Sequence, residues 1–238
     1  MKKIFYLFVA LLSSGFCYGQ TVVRRICLDD YPAQTVKFND IGILFQRISP
    51  DWESDKLQIA KDLYSVFRMT YMVKASDTEI ESDSYFGTVS LVKGNELLFK
   101  ADSIGMVGPI DYSLHYDKLV IPLILDQSQD NLDTYVDLYL VDLRTKKSYK
   151  INNEPIFNSE YGCITEDGRF VIYGSAGKLY KYDIEKRTTE CMIDFENPTL
   201  FIFKLIFGND TLTIYSYNNY FEDVLSPVQK RTIPNIVL

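Results

Sequence analysis

The 238-residue chain reads as all-β, an array of repeated four-stranded antiparallel units. Three observations predict this: turn residues recur just ahead of β-rich apolar runs, a pair of motifs recurs in fixed order, and the recurrence has a period of roughly 40–50 residues.

The first recurring element is a turn feeding a strand. It is written four times, as Asp55-Lys56-Leu57-Gln58-Ile59, Asp117-Lys118-Leu119-Val120-Ile121, Asp167-Gly168-Arg169-Phe170-Val171-Ile172 and Asp210-Thr211-Leu212-Thr213-Ile214. The last three follow strand-like pieces at 112–115, 161–165 and 201–207, so there the turn closes a hairpin. The second element is another hairpin. Leu138-Tyr139-Leu140-Val141-Asp142-Leu143, a polar turn at 144–148 and Tyr149-Lys150-Ile151 align with Leu179-Tyr180-Lys181-Tyr182-Asp183-Ile184, a turn at 185–189 and Glu190-Cys191-Met192-Ile193, 41 residues on. A rougher copy is Val89-Ser90-Leu91-Val92, the turn Lys93-Gly94-Asn95, and Leu97-Leu98-Phe99.

Two hairpins make four strands, the signature of a β-propeller blade. A lone four-stranded sheet has two faces to cover, and stacking it between neighbours buries both. The repeats predict units at about 44–103, 110–152, 158–196 and 200–234, hence four or five blades, with 22–28 or 36–38 as a strand completing the last. A β-sandwich is the alternative, since short strands with frequent turns suit it too. Residues 55–73 carry Leu57, Ala60, Leu63, Tyr64 and Phe67 at helical spacing, so a helix is an alternative there.

The copies between about 110 and 195 resemble TolB-like and WD40-like propeller repeats, where a Ser-Pro-Asp-Gly turn precedes a strand and a Leu-Tyr-x-x-Asp strand ends in a charged turn. Ser49-Pro50-Asp51 and Thr165-Glu166-Asp167-Gly168 approximate the first motif, and residues 138–142 and 179–183 match the second. No Gly-His or Trp-Asp pair occurs, and the single Trp52 lies outside the motif. The resemblance implies that connections from second to third strands, and from blade to blade, share one face. That face would gather 126–133, 216–220 and the connectors 103–109, 152–158 and 194–199.

The chain opens Met1-Lys2-Lys3, continues apolar through residues 4–12 and turns small and polar at Ser13-Ser14-Gly15. This is a signal-peptide layout, too short for the ~20 apolar residues that span a bilayer. Cleavage after Gly19 makes residues 1–19 a leader and 20–238 one mature domain without a transmembrane segment, periplasmic or extracellular. Cys17 opens the alternative of a lipid-anchored protein, although Phe16 precedes it where a small residue is usual. Loss of Lys2 and Lys3 leaves 23 basic against 32 acidic residues, a charge that repels phosphate backbones and makes nucleic acid an unfavourable partner. Cys27, Cys163 and Cys191 remain; Cys163 and Cys191 could pair, or all three could be free thiols.

Chemistry-bearing constellations are sparse. His115, the only histidine, sits beside a turn with no recognisable partner for catalysis or metal binding. Asp126, Asp130, Asp133 and Asp137 fall in or beside a polar insertion whose spacing lacks the alternation and the glycine of a calcium loop, so a solvated acidic loop is expected. Gly174-Ser175-Ala176-Gly177 lies between strands with no helix to hold a phosphate, and reads as a tight hairpin. The segment Tyr215-Ser216-Tyr217-Asn218-Asn219-Tyr220-Phe221 combines aromatic and amide side chains, as recognition surfaces do. No catalytic residue, metal ligand or cofactor is predicted. The expected function is non-enzymatic binding of a protein or cell-envelope component through Tyr217, Tyr220, Phe221, Asp126, Asp130 and Asp133. The alternatives are a periplasmic immunity or inhibitor protein against a secreted toxin, and a glycan-active hydrolase or lyase using carboxylates.

Overall fold

In the strand Val136–Asp142, Val136, Leu138 and Leu140 face one side while Tyr139 and Val141 face the other, and both sides meet hydrophobic neighbours. A strand with two apolar faces must lie between two layers, and that requirement organises the whole molecule. In the computed structural model the structure describes residues 23–42, 44–46, 54–73, 84–125, 136–154, 156, 162–208, 210–218 and 228–236.

The strands in chain order are β1 (Arg24–Arg25), β2 (Gln34–Val36), β3 (Leu44–Gln46), β4 (Ser54–Ala60), β5 (Leu63–Val73), β6 (Ser84–Lys93), β7 (Glu96–Ser113), β8 (Lys118–Leu125), β9 (Val136–Asp142), β10 (Lys147–Lys150), β11 (Gly162–Ile164), β12 (Phe170–Ser175), β13 (Lys178–Asp183), β14 (Thr188–Asp194), β15 (Leu200–Gly208), β16 (Thr211–Asn218) and β17 (Val228–Pro234). Two 3₁₀ turns, Leu28–Asp30 and Phe38–Ile41, join the first three. β4 to β10 form one antiparallel sequence of neighbours, β11 to β14 a second sheet edged by β1 in parallel, and β15 to β17 a third completed by β2.

β7 turns the first of these sheets into two layers. Its first half pairs with β6, its second half pairs with β8 and with β3, and irregular register marks the passage around residues 104–111. Bulges bend a strand from one sheet into the next. Four layers result: β4–β7, β7–β10, β11–β14 and β15–β17. Leu63, Phe67, Val89 and Leu91 meet Leu119, Ile121, Leu123 and Val141 between the first and second. Val120, Leu138 and Leu140 meet Val171 and Tyr173 between the second and third. Phe170, Ile172 and Leu179 meet Ile202, Leu205, Leu212 and Ile214 between the third and fourth. Each buried Leu or Ile contributes about 1.5–3 kcal/mol relative to exposure. Successive interfaces of this kind make a propeller-like array; the two-layer sandwich has only one.

Several expectations need correction. Residues 55–73 are not helical: β4 and β5 form a hairpin, and Asp62 at φ 59° supplies a left-handed turn that no α-helix accommodates. Asp55 is therefore not a turn residue, since it pairs with Phe67 inside that hairpin. The expected connector at 103–109 is strand, because β7 runs unbroken through it. The strand that completes the fourth layer is β2, Gln34–Val36, which meets the candidate segment 36–38 only at Val36 because residues 38–41 form a 3₁₀ turn; the other candidate, 22–28, holds β1, which extends the third layer. For Cys163 and Cys191, where pairing and free thiols were both open, the free thiols are found, and the two cannot pair as placed. They lie in β11 and β14, three strand spacings or about 14 Å apart.

Candidate functional site

The two ends of the layered stack are built differently. At one end, here the turn end, lie the turns following β4, β6, β7, β9, β11, β13 and β15. Asp142 Oδ1 accepts hydrogen bonds from the backbone N–H of Arg144 and Thr145, and Asp183 Oδ1 accepts the same pair from Glu185 and Lys186. The 41-residue repeat is thus reproduced atom by atom, down to Lys146 and Arg187, which both close their turns at positive φ. Asp167 does comparable work in its own turn, accepting from Thr165 Oγ1 and Arg169 N–H. His115 lies in the turn before Asp117, its ring edge-on to Tyr116 at 4.6 Å.

At the opposite, loop end, the connections are long and unequal. There β5, β8, β10, β14 and β16 end and β6, β9, β11, β15 and β17 begin, separated in sequence by residues 74–83, 126–135, 151–161, 195–199 and 219–227. Asp126, Asp130, Asp133, Tyr220 and Phe221 lie outside the described residues. Asp137 is inside β9, its carboxylate paired with Lys150 Nζ at 2.6 Å. Among the described residues, the tight two-residue connection at this end is Ala176-Gly177, both at positive φ, a type I′ hairpin turn as expected of the 174–177 segment.

Tyr217 is the described member of the predicted aromatic site. It is part of β16, not a loop, and pairs across the ladder with Phe201. Their rings stack at 5.1 Å and 9°, and Phe203 closes the group at 4.6 Å from Tyr217. A register shift between Ile202 and Lys204 accompanies this grouping. Ser216, in the same predicted segment, is buried in β16. Phe201 and Phe203 escaped sequence analysis, although their i, i+2 spacing in a strand was a sign that they share a face.

The expected loop at 152–158 also divides by role. Asn152 is 2% exposed, and its amide accepts from Leu138 N–H at 2.7 Å while donating to the carbonyls of Val136 and Glu154. It is a structural clamp. The next residues, Asn153, Glu154 and Ile156, form one wall of a cleft of about 280 Å³ between the second and third layers. Tyr173, Ser175, Tyr180 and Thr189 form the other wall. Tyr173 and Tyr180 stack at 5.4 Å, and burial pushes both phenols above their ordinary range, so both remain protonated. Burial also raises the thiols of Cys163 and Cys191, which keeps them from acting as thiolates near neutral pH.

A second pocket, about 180 Å³, opens at the turn end between the third and fourth layers, with Glu166, Asp167 and Asp210 among its lining residues. Among the described residues, no group of three or more His, Cys, Asp or Glu side chains is arranged to hold a metal ion, and no helix is long and apolar enough to cross a membrane.

No family model and no curated protein matches the chain. Among solved structures, a TolB from Agrobacterium tumefaciens is similar at 14% identity and a TM-score of 0.40, over 76% of this chain and 73% of that one. An α-L-arabinofuranosidase from Fusarium graminearum is similar at 9% identity and 0.41, over 77% of this chain and 57% of its own. Dipeptidyl peptidase 4 from Porphyromonas gingivalis is similar at 12% identity and 0.37, and this chain spans only 31% of it. Likeness at these scores is slight, and the propeller-like array rests on the strand pairing and the buried layers.

Proposed function

We propose that the protein is an exported, non-enzymatic binding protein of the cell envelope, which engages a protein or other envelope component through its loop end. The observation that supports this reading is the asymmetry of the stack: at one end successive strands are separated in sequence by long, unequal segments, and the aromatic group Phe201, Phe203 and Tyr217 lies at that end. Aromatic side chains offer rigid contact area at small entropic cost, which suits a recognition surface. Asp126, Asp130 and Asp133, on the connection between β8 and β9, and Tyr220 and Phe221, beyond β16, belong to the same proposed surface.

A carboxylate hydrolase is the reading that the acidic pocket at the turn end would serve. Asp167 weighs against it, because one of its carboxylate oxygens is occupied in bracing its own turn. The deciding experiment replaces Tyr217 and Tyr220 with Ala and compares capture of partners from an envelope extract. Loss of the captured species, with the melting profile largely kept, is expected; unchanged capture removes the aromatic group from the surface.

A further inference from the structure

The cleft between the second and third layers has a chemistry that the loop-end reading does not use. We propose that it binds a single pyranose ring, neutral or carrying an amine.

A pyranose presents a patch of C–H groups and a belt of hydroxyls, so its site needs an accessible aromatic ring beside mixed donors and acceptors. Tyr180 is half-buried, and Tyr173, 5% exposed, stacks beside it on the adjacent strand at 18° between ring planes. Cross-strand pairing of these two residues fixes the platform. Facing it, the Glu154 carboxylate accepts and the Asn153 amide both donates and accepts; the Thr189 hydroxyl lies on the platform's own wall, hydrogen-bonded to Tyr173.

The wall carrying Asn153 and Glu154 is held in advance, since the Glu154 carbonyl accepts from the buried Asn152 amide at 3.0 Å. Such preorganisation lowers the cost of ordering a loop around a ligand. Among the described residues lining the cleft none is basic, whereas Glu154 is acidic, and Lys178, the cation that acts on the Tyr180 phenol, is paired with Asp194 at 3.5 Å, so phosphorylated and carboxylated ligands are disfavoured. The space of about 280 Å³ lies near the lower end of small-molecule sites, sized for one ring and not for a long chain.

The test titrates the full chain with glucose, galactose, N-acetylglucosamine and glucosamine, using glucuronate and glucose 6-phosphate as anionic controls. Saturation-transfer NMR and calorimetry read the binding. At least one neutral or amino sugar is expected to bind in the millimolar range, with the strongest transfer to its ring C–H protons. Tyr180→Ala should weaken that binding about tenfold, while Tyr180→Phe keeps it within about twofold. Glu154→Gln should lower the affinity for glucosamine relative to glucose. If Tyr180→Ala fails to fold, Asn153→Ala at its exposed position takes its place and must weaken binding with melting unchanged. The proposal is overturned if none of the four sugars binds, if the anionic sugars bind as tightly, or if the substituted cleft binds as well as the original. Tyr217 and Tyr220 take no part in these outcomes, so they leave the loop-end reading to its own experiment.

Discussion

The turn end and the loop end of the stack are stabilised by opposite means. At the turn end, short turns are braced one by one by their own aspartates, and neighbouring turns touch: a Cβ on Gly168 would come within 2.5 Å of the Tyr116 ring from the layer before. At the loop end, a buried Asn152 replaces turn geometry, fastening a link to the edge of β9. Local hydrogen bonds can be copied along a repeat, whereas a long connection must be held by whatever side chain reaches it. The end with repeated turns is therefore uniform, and the other end is free to differ from layer to layer.

The comparison can be broken most severely at Asn152. Asn152→Ala leaves Leu138 N–H and Val136 C=O at a buried edge without their partner, and should cost about 2–6 kcal/mol at about 1–3 kcal/mol per orphaned group. Urea unfolding checks this; a loss below about 1 kcal/mol would mean that water substitutes for the amide and the clamp is dispensable.

Gly168→Ala probes the contact between turns. It combines positive φ with collision against Tyr116, for an expected loss of about 2–3 kcal/mol. Gly94, also at positive φ but with open space around it, is the control, and its alanine variant should lose only about 1 kcal/mol. Equal losses would show that neighbouring turns do not brace one another.

Tyr217→Ala at the loop end should cost about 1–2 kcal/mol, from lost stacking and partial burial, while abolishing the proposed partner capture. A large stability loss with capture intact would make the aromatic group a packing feature.

The smallest effect concerns pH. Hydrogen bonding from the Lys186 backbone N–H, aided by the Lys186 side chain, lowers the Asp183 carboxyl pKa. Its stabilising contribution is therefore present above the unfolded carboxyl pKa of about 3.9 and is lost as pH falls through the lower folded value. Thermal melts of wild type and Asp183→Asn should differ near pH 6 and converge well below pH 4; a constant offset would assign the effect to shape instead of charge.

Much of the turn end could be read from the sequence. Asp142 and Asp183 sit at equivalent places in the 41-residue repeat, and the positive φ of Asp117, Gly168 and Asp210 falls where turn-to-strand motifs were expected. The motif failed at Asp55 because an Asp before apolar residues is also compatible with a strand interior, and only the partner Phe67 distinguishes the two. The predicted site was less accessible to the same reasoning. Tyr217 is found in an aromatic group, but its partners Phe201 and Phe203 belong to another strand, and which rings meet depends on register.

What the sequence determined alone is local: all-β character, the order of hairpins, the tight 174–177 turn and the repeated aspartates, each fixed by turn chemistry and period-two alternation. Tertiary structure decided everything that depends on which strands become neighbours. It made β7 one bent strand shared by two layers, kept Cys163 and Cys191 apart, sent β1 and β2 to different sheets, and set Tyr180 opposite Glu154. Strand pairing joins residues distant in sequence, and the choice among pairings is made by burying both faces of every layer at once.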